Sequence, residues 1–385
     1  MNTEFYNNIP APVEKVISSR PYVAYGEENT FPQDMANLLI LSPIHQACVS
    51  KKIEFAQGQK ITFDSNINLS QVNDKGESIQ DILEKCMADK VVFGQYAINV
   101  VWSRDGKSIA SLEHVDFSQL RSGKRNPYGV VNEWYYCRDW QDVRRNKIIS
   151  IPAFDPSLAL EEPNQLFVYS EYAPGAQYYA KPDYLSALAY VYLDYEIGNH
   201  HIANVKKNFA PGVIINLKHQ TDGPEDRDAI YESMIDQYQG TKNSGEPFIV
   251  FGPEGIEVTQ VNSSGNGDMY QALNEMTQQY ILTAHRITSP MILGIKTAGQ
   301  LGGRSEMVDA TELFQNNVIV PIQNSVTKPI QKMLALGGIQ TTFNIEQLEI
   351  IKPLMPESLM KENLTQNEIR EEYGYEPIVE PTQPQ

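Results

Sequence analysis

The sequence of 385 residues contains few cysteines, few histidines and too few basic residues to balance its acidic ones. Its three cysteines, Cys48, Cys86 and Cys137, are far apart and include no CxxC pair, which argues against a disulfide framework or a zinc site. We expect reduced, buried thiols. With 31 Lys and Arg against 48 Asp and Glu, the net charge of −17 argues against a protein that grips nucleic acid by neutralising many phosphates. The negative charge does not exclude a protein that lets nucleic acid slide past it.

Long apolar runs are also missing. No run reaches the roughly 18 residues that would cross a bilayer, and the first residues lack the basic and apolar segments of a secretion signal. We therefore expect neither a membrane protein nor a secreted one. The hydrophobic fraction of 41% and the charged fraction of 21% are those of an ordinary folded chain, and the length allows two or three domains.

The first 180 residues predict an α+β domain. Residues 1–30 are polar and proline-bearing, and we expect them to wrap a surface or a neighbour. Apolar spacing predicts one helix over Asp34–Phe55 and a second over Ile79–Val92. Alternating apolar and aromatic residues predict antiparallel strands between Tyr96 and Trp140.

The second half predicts long helices. A helical pattern runs from Pro182 to about Phe209, which at 1.5 Å per residue is about 42 Å, and it places Asp183 in the first turn, where the helix dipole favours a carboxylate. Asp268–Ile287 predicts a second long helix, ended by Ser289-Pro290. A glycine-rich loop leads to a third, Ser305–Leu336, in which Pro321 and Pro329 should produce kinks.

Between the first two long helices lies a short insert. It predicts a strand over 213–217, a helix over 226–238, and strands over 248–251 and 256–261 that are joined by the turn 252–255 as a hairpin. Such a unit has little core of its own, so we expect its open strand edges to pair with another chain. The last 47 residues contain Thr341–Asn344, a predicted helix over Thr365–Glu372 and a proline-rich tail.

Catalytic motifs are not evident. Gly106-Lys107-Ser108 lacks the first glycine of a P-loop, and an Asp-Gly hairpin turn explains it better. The adjacent His200 and His201 point about 100° apart on a helix, unlike a zinc-binding pair. A row of tyrosines (Tyr184, Tyr190, Tyr192 and Tyr195) could stack on bases, although packing between long helices is the simpler explanation.

Four local motifs, in order along residues 35–380, resemble those of tailed-bacteriophage portal proteins of the siphovirus type. The first is Leu41-Ser42-Pro43-Ile44 with Ala47-Cys48-Val49. The second is Lys207-Asn208-Phe209-Ala210-Pro211-Gly212-Val213-Ile214, in which the family's link after the phenylalanine is shortened. The third is Arg286-Ile287-Thr288-Ser289-Pro290-Met291-Ile292-Leu293-Gly294. The fourth is Leu364-Thr365-Gln366-Asn367-Glu368-Ile369-Arg370 with Gly374.

The resemblance implies an α+β portal architecture that assembles as a ring, usually of twelve subunits, at one capsid vertex. Its parts would be a wing over 1–180, stem helices over 181–210 and 266–290, and a clip over 211–265. A tunnel loop over 291–304, a long kinked helix over 305–338 and a crown over 339–385 would follow. The chain would be a non-enzymatic conduit without a cofactor, placed in the virion after assembly in the bacterial cytoplasm.

The same resemblance implies partners and contact residues. The partners would be further copies of the chain, the large terminase, the head-tail adaptor, the major capsid and scaffold proteins, and double-stranded DNA passing through without sequence preference. We expect Lys296, Gln300 and Arg304 of the tunnel loop to contact DNA, although an ordinary solvated or interface charge is the simpler explanation of the two cations. The expected clip interface consists of Val213, Ile215, Leu217, Phe248, Val250, Ile256 and Val258.

Two other function classes are compatible with the same residues. One is a different virion interaction protein, such as a head-tail adaptor with helices but no channel. The other is a hydrolase with a site in the tyrosine-rich α+β half. A closed ring with an axial hole would favour the portal, and a monomer that binds a small ligand would favour the enzyme.

Overall fold

The computed structural model describes residues 9–206, 213–218, 248–252, 257–260, 266–295, 304–348 and 365. The chain divides into one compact unit that ends at Gln347 and a second that begins at Leu348. The helices of the described part are, in chain order, α1 Phe31–Leu41, α2 Pro43–Gln57, α3 Ile79–Phe93, α4 Leu188–Lys206, α5 Asn266–Ala284, α6 Arg304–Phe314 and α7 Val320–Leu336. None of them is long and apolar enough to cross a membrane.

The strands of the described part form several small sheets. They are β1 Glu14–Val16, β2 Val23–Tyr25, β3 Lys60–Ser65, β4 Gln95–Trp102, β5 Ile109–Val115, β6 Leu120–Ser122, β7 Glu133–Tyr136, β8 Ile149–Pro152, β9 Asn164–Ser170, β10 Val213–Lys218, β11 Phe248–Gly252, β12 Glu257–Gln260 and β13 Thr341–Glu346. The mixed helices and short antiparallel strands of the first 180 residues confirm the predicted α+β character of that part.

The predicted helix over Asp34–Phe55 is wrong in one respect, because it is two helices. Ser42 lies between α1 and α2 with an extended backbone (φ −119°, ψ 113°). Pro43 disfavours the helical conformation at the residue before it and has no N–H for the preceding turn. The Ser42 side chain then accepts a hydrogen bond from the His45 backbone N–H and caps α2.

Helix α3 begins as the sequence predicts. The Ser78 hydroxyl accepts from the Asp81 backbone N–H while the Asp81 carboxylate accepts from the Ser78 backbone N–H, so two otherwise unsatisfied donors are paired. The helix ends at Gly94, which has the left-handed backbone (φ +76°) that glycine adopts easily. The buried side of α3, including the thiol of Cys86, packs against β4 and α7.

Strand β4 lies at the centre of the main sheet, between β5 and β9, and pairs antiparallel with both. The turn between β4 and β5 contains Gly106 with φ +65° and a carboxylate of Asp105 that accepts from the Lys107 backbone N–H. These contacts confirm the hairpin interpretation of Gly106-Lys107-Ser108. All three cysteines are free and buried, as predicted.

The insert contains a three-stranded sheet with a topology that differs from the predicted one. Strand β10 is central, parallel to β11 and antiparallel to β12. The strands β11 and β12 therefore do not form the predicted hairpin, although both exist close to their predicted positions. Periodicity identifies strands but not their partners, and both outer strands pair with β10 along their described length. The predicted helix over 226–238 lies outside the described residues.

The third long helix is interrupted by a π-helical segment. Residues Gln315–Ile319 have π geometry and join α6 to α7, whose second residue is Pro321. Because proline has no N–H and its ring collides with the carbonyl four residues earlier, regular α geometry is costly there, and the wider π turn accommodates it. The predicted end of the helix is confirmed, since α7 stops at Leu336 before Gly337-Gly338.

Pro329 lies inside α7 and leaves the carbonyl of Ser325 without its usual backbone donor. The hydroxyl of Tyr96 on β4, which is fully buried, supplies a substitute. It lies 3.2 Å from the carbonyl oxygens of both Ser325 and Val326. A tertiary hydrogen bond thus attaches the middle of α7 to the main sheet.

We expect Tyr96→Phe to lower the free energy of unfolding by about 1–2 kcal/mol, because it leaves a buried carbonyl unpaired. Pro329→Ala restores the missing N–H, so the cost of Tyr96→Phe should become smaller in that background. Urea unfolding of the two single variants and the double variant measures this coupling. Equal costs in both backgrounds would contradict the role assigned to Tyr96.

Strand β13 returns the chain to β3. It pairs antiparallel with β3 over six positions, from Thr341 opposite Ser65 to Glu346 opposite Lys60. Gly58 contacts this strand so closely that an added Cβ would lie 2.3 Å from the Glu346 carbonyl oxygen. The compact unit therefore includes residues up to Gln347, whereas the sequence placed a boundary at 339. The predicted helix over Thr365–Glu372 lies outside the described residues, apart from Thr365 itself.

Candidate functional site: the junction below two long helices

Helices α4 and α5 run antiparallel, and pairs of aromatic rings join them along their length. Tyr190 stacks on Tyr280 with ring centroids 4.5 Å apart, and His200 stacks on Tyr270 at 4.7 Å. A third stack, between Tyr184 and His285 at 5.0 Å, lies just before α4 and just after α5. Tyr184 and Tyr190 therefore pack against rings on or next to α5, which agrees with the predicted packing between the long helices. Along the chain, the insert connects the end of α4 to the start of α5.

A cluster of polar side chains lies at the base of this helix pair, and we name it the junction cluster. Its members are His45, Lys52, Asp183, Tyr184, His285 and Arg286. They come from α2, from the turn before α4 and from the segment after α5. The cluster thus fixes both long helices to the first domain.

Lys52 is the charged centre of the junction cluster. Its side chain is 1% exposed, and its Nζ lies 2.7 Å from Oδ2 of Asp183. The same oxygen accepts from Nη2 of Arg286 at 3.1 Å, where the arginine is half-exposed and the carboxylate is one-third exposed. One carboxylate therefore bridges a buried cation on α2 and a surface cation that follows α5.

The pKa values in this ion pair reflect burial and charge acting in opposite directions. Burial lowers the pKa of Lys52, and the charge of Asp183 opposes that change only in part. Burial alone would raise the pKa of Asp183, but the charges of Lys52 and Arg286 and their hydrogen bonds lower it overall. Asp183 is therefore ionised at neutral pH, and its charge favours the ammonium form of Lys52.

Two buried histidines lie beside the ion pair. Nδ1 of His45 is 2.9 Å from Nε2 of His285, and both side chains are fully buried. Among the described residues, the outer ring nitrogens, Nε2 of His45 and Nδ1 of His285, have no hydrogen-bond partner. Burial and the nearby Lys52 lower the pKa of His45 to about 4, and they lower that of His285 as well. The pair is therefore neutral at pH 7.

The backbone around the junction explains where these groups lie. The predicted helix start at Pro182 is wrong, because a 3-10 turn, Leu185–Ala187, precedes α4. Asp183 consequently lies before the helix, where it pairs with cations, and not in the first turn as predicted. At the other end, α5 stops at Ala284, and Arg286 adopts a left-handed backbone (φ +57°), which is uncommon for a residue other than glycine.

Further contacts secure the same junction. The Tyr184 hydroxyl donates to the Val92 carbonyl at the end of α3, at 2.6 Å. The Ser42 hydroxyl that caps α2 also donates to Asp194 of α4, at 2.7 Å. Since every one of these bonds joins separate elements, the cluster is suited to holding the helix pair at a fixed position.

A cleft of about 120 Å³ opens beside the junction cluster. Its walls contain Lys52, Asp183 and Arg286 together with a second ion pair, Lys90 and Glu171, whose charged atoms are 2.6 Å apart. Pro321 of α7 also lines the cleft. In the part of the chain that is described, no three His, Cys, Asp or Glu side chains are arranged to hold a metal ion.

The residues predicted to contact DNA or a neighbouring clip are not part of the junction cluster. Lys296 and Gln300 lie outside the described residues, and Arg304 is the first residue of α6. Ile256 also lies outside them. Val213, Ile215 and Leu217 are alternate positions of β10, and Val258 is opposite Ile215, whereas Phe248 and Val250 register with Ile214 and Asn216. The six described residues of the predicted clip interface therefore do not occupy one set of alternate positions across the sheet, and their contact with a neighbouring subunit stays a prediction.

Sequence reasoning missed the junction cluster, although one signal pointed to it. His45, Cys48, Lys52 and Phe55 recur at helical spacing on the buried side of α2. A lysine in the middle of an otherwise apolar stripe indicates a buried ion pair. Its partners, Asp183 and Arg286, are more than a hundred residues away, and nothing local identifies them.

Comparison with known proteins gives the fold a context. The sequence matches no family model and no curated protein. Among solved structures, a chain in the virion of a native gene transfer agent (GTA) particle matches at 15% identity and a TM-score of 0.54, covering 90% of this chain and 94% of that one. A chain in the neck of an empty GTA particle, computed with C6 symmetry, matches at 14% identity and a TM-score of 0.52, covering 91% and 95%.

This chain shares its fold with a component of the GTA virion. An HK97-family phage portal protein from Corynebacterium diphtheriae also matches, at 14% identity and a TM-score of 0.45, covering 80% of this chain and 95% of that one. The two GTA matches extend over nearly the whole of both chains.

Proposed function

We propose that the chain is a portal protein, which forms a ring at one vertex of a phage or phage-like capsid and provides the channel for double-stranded DNA. The observation that carries the proposal is the fold shared with a GTA virion chain over 90% of this chain. The four portal-like sequence motifs support the same function, and the first and third of them contain Ser42 and Arg286 of the junction region.

The arrangement of the helices suits a ring subunit. A ring that conducts DNA needs a wall whose helices keep their orientation under load. Here the pair α4 and α5 is joined by stacked rings along its length and by the Lys52–Asp183–Arg286 bridge at its base. In the proposed ring, α4 and α5 are the stem, and the first 180 residues are the wing.

The insert is the proposed docking element. Its sheet has β11 and β12 as outer strands in the described residues, and each outer strand has one edge that can accept a further strand. We infer that the neighbouring subunit pairs there, and that the large terminase and then the head-tail adaptor dock on the resulting surface. The loop between α5 and α6, with Lys296, would face DNA in the channel.

An acidic chain suits a conduit. With a net charge of −17, the chain as a whole repels phosphates, so that DNA can move without being held. The proposed role needs no catalytic residue, and the motor that hydrolyses ATP would be a separate protein.

Measurement of the assembly state tests the proposal. We expect the purified full-length chain to form closed rings with an axial hole in negative-stain electron microscopy, with a mass of about twelve times 43.5 kDa by native mass spectrometry. A different closed ring number would keep the function and change only the symmetry. A chain that stays monomeric at all protein and salt concentrations, and with capsid protein present, would contradict it.

A further inference from the structure

The loop between β7 and β8 is basic, whereas the chain as a whole is acidic. Residues 137–148 contain four basic side chains, Arg138, Arg144, Arg145 and Lys147, and two acidic ones, Asp139 and Asp142. The loop thus has an excess of basic residues in a chain whose net charge is −17. We name residues 137–148 the basic loop.

Most of the positive charge in the basic loop is exposed and unpaired. Asp142 pairs with Arg145, Oδ2 to Nε at 3.3 Å, and that arginine side chain is still 88% exposed. Asp139 accepts from the backbone N–H of Gln141. The exposed side chains of Arg138, Arg144 and Lys147 form no hydrogen bond or ion pair with any residue that the structure describes. Three cations are therefore available to a partner.

The inner side of the basic loop is firmly anchored. Trp140 is 3% exposed, its Nε1 donates to the Gln119 carbonyl at 2.8 Å, and its ring lies 4.7 Å from that of Tyr22. The guanidinium of Arg121 stacks over the same indole at 4.8 Å. Val143 and Ile148 pack against this cluster. Because the backbone is held, a partner would pay little conformational entropy to order the loop.

The chemistry of the surface indicates which anion it fits. Protein interfaces usually have an apolar centre, and the large exposed apolar side chains of the described residues include none from 137–148. Single-stranded nucleic acid needs exposed rings for stacking, whereas Trp140 and Tyr22 are buried. The phosphate backbone of a duplex needs only exposed cations, and arginine matches its oxygens in a bidentate geometry.

We propose that the basic loop is a contact site for the phosphodiester backbone of double-stranded DNA, without sequence preference. Arg138, Arg144 and Lys147 are the contacting residues. The acidic residues elsewhere on the chain repel phosphates, which confines the DNA contact to the basic loop. The contact is therefore weak and sensitive to salt. The proposal goes beyond the channel, because the loop belongs to the α+β part and does not need a ring to meet a duplex.

The test compares two double variants of the full-length chain. Arg144→Gln/Lys147→Gln removes one arginine and one lysine from the basic loop. Arg104→Gln/Lys107→Gln removes the same residue types from the exposed β4–β5 turn, where their side chains also have no partner among the described residues. Fluorescence anisotropy with a labelled duplex, in a salt series, gives the affinity and its salt dependence for each.

We expect the basic-loop variant to bind duplex DNA about tenfold more weakly near 50 mM salt, with a salt slope reduced by about two, and the control variant to match the wild type. Equal losses in both variants would overturn the proposal, because they would reflect net charge alone. Polyglutamate binding as tightly as DNA would also overturn it, in favour of an acidic protein partner. Native mass measured on the same samples reports ring formation independently, so a failed portal assignment would be recognised separately.

Discussion

Asp183→Asn is expected to lower the free energy of unfolding by about 2–3 kcal/mol, which is more than Lys52→Met should cost at the same ion pair. It leaves the fully buried ammonium of Lys52 without its counter-charge, and removing one partner of a buried pair costs about 3–5 kcal/mol. We reduce that figure because the carboxylate is one-third exposed and solvent screens part of the interaction. Urea unfolding at pH 7 measures the change.

Lys52→Met should cost less than Asp183→Asn. It removes the buried charge together with its desolvation cost, and Asp183 retains Arg286 at 3.1 Å. Glu113→Gln is the control, since it breaks an exposed pair with Lys75 at 3.3 Å and should change stability by no more than about 0.5 kcal/mol. If Asp183→Asn proved as mild as this control, the junction ion pair would have no structural role.

Acidification is expected to destabilise the chain through His45 and His285. The pKa of His45 is about 4 in the folded protein and about 6.5 in an unfolded chain, so between these values the unfolded state binds more protons. The stabilisation by the neutral imidazole is complete above pH 6.5 and is lost as the pH falls to about 4. For His45 alone it is worth about 3 kcal/mol, and His285 acts in the same direction.

The measurement is the free energy of unfolding at pH 7.5 and pH 4.5 for the wild type and for His45→Leu/His285→Phe. The double variant lacks the two titrating groups and reports the contribution of carboxylates, so the difference between the two pH dependences belongs to the histidine pair. His201→Gln, at an exposed position, should retain the wild-type dependence. A double variant that lost as much stability in acid as the wild type would show that the pair does not titrate as inferred.

Both effects concern the attachment of α4 and α5 to the first domain. We expect that weakening it would loosen the helix pair before the α+β core unfolds, because the core has its own buried contacts around β4 and α3. In the proposed ring, such a change would disturb the channel wall in every subunit at once. Variants of the junction can therefore be compared directly for stability and for ring formation.

Several elements could be predicted because their signals are local. Ser78 and Asp81 form a capping box within four residues, and the start of α3 follows from it. Gly337-Gly338 ends α7 for a similarly local reason, since glycine can adopt the left-handed backbone at no steric cost. The run of apolar and aromatic residues in β4 identifies a strand, and its place at the sheet centre agrees with burial at nearly every position.

Other features could not be predicted, because their causes are tertiary. Helix α4 begins at Leu188 and not at Pro182, because the helical spacing continues through residues that form a 3-10 turn. Asp183 pairs with Lys52 and Arg286 instead of with a helix dipole. The pairing of β10 with both β11 and β12 depends on the path of the whole insert. The portal-like motifs indicated the family resemblance but not the junction cluster between them.

The sequence by itself determined the α+β character of the first part, the long helices, the strands of the insert and the acidic surface, because composition, periodicity and caps act over a few residues. Only the tertiary structure decided that Lys52, Asp183 and Arg286 form one bridge, that His45 meets His285, and that Tyr96 pairs with the carbonyl freed by Pro329. Residues distant in the chain cannot signal such contacts locally. The free energy of burying their charges and polar atoms is favourable only once the helices that bring them together have packed.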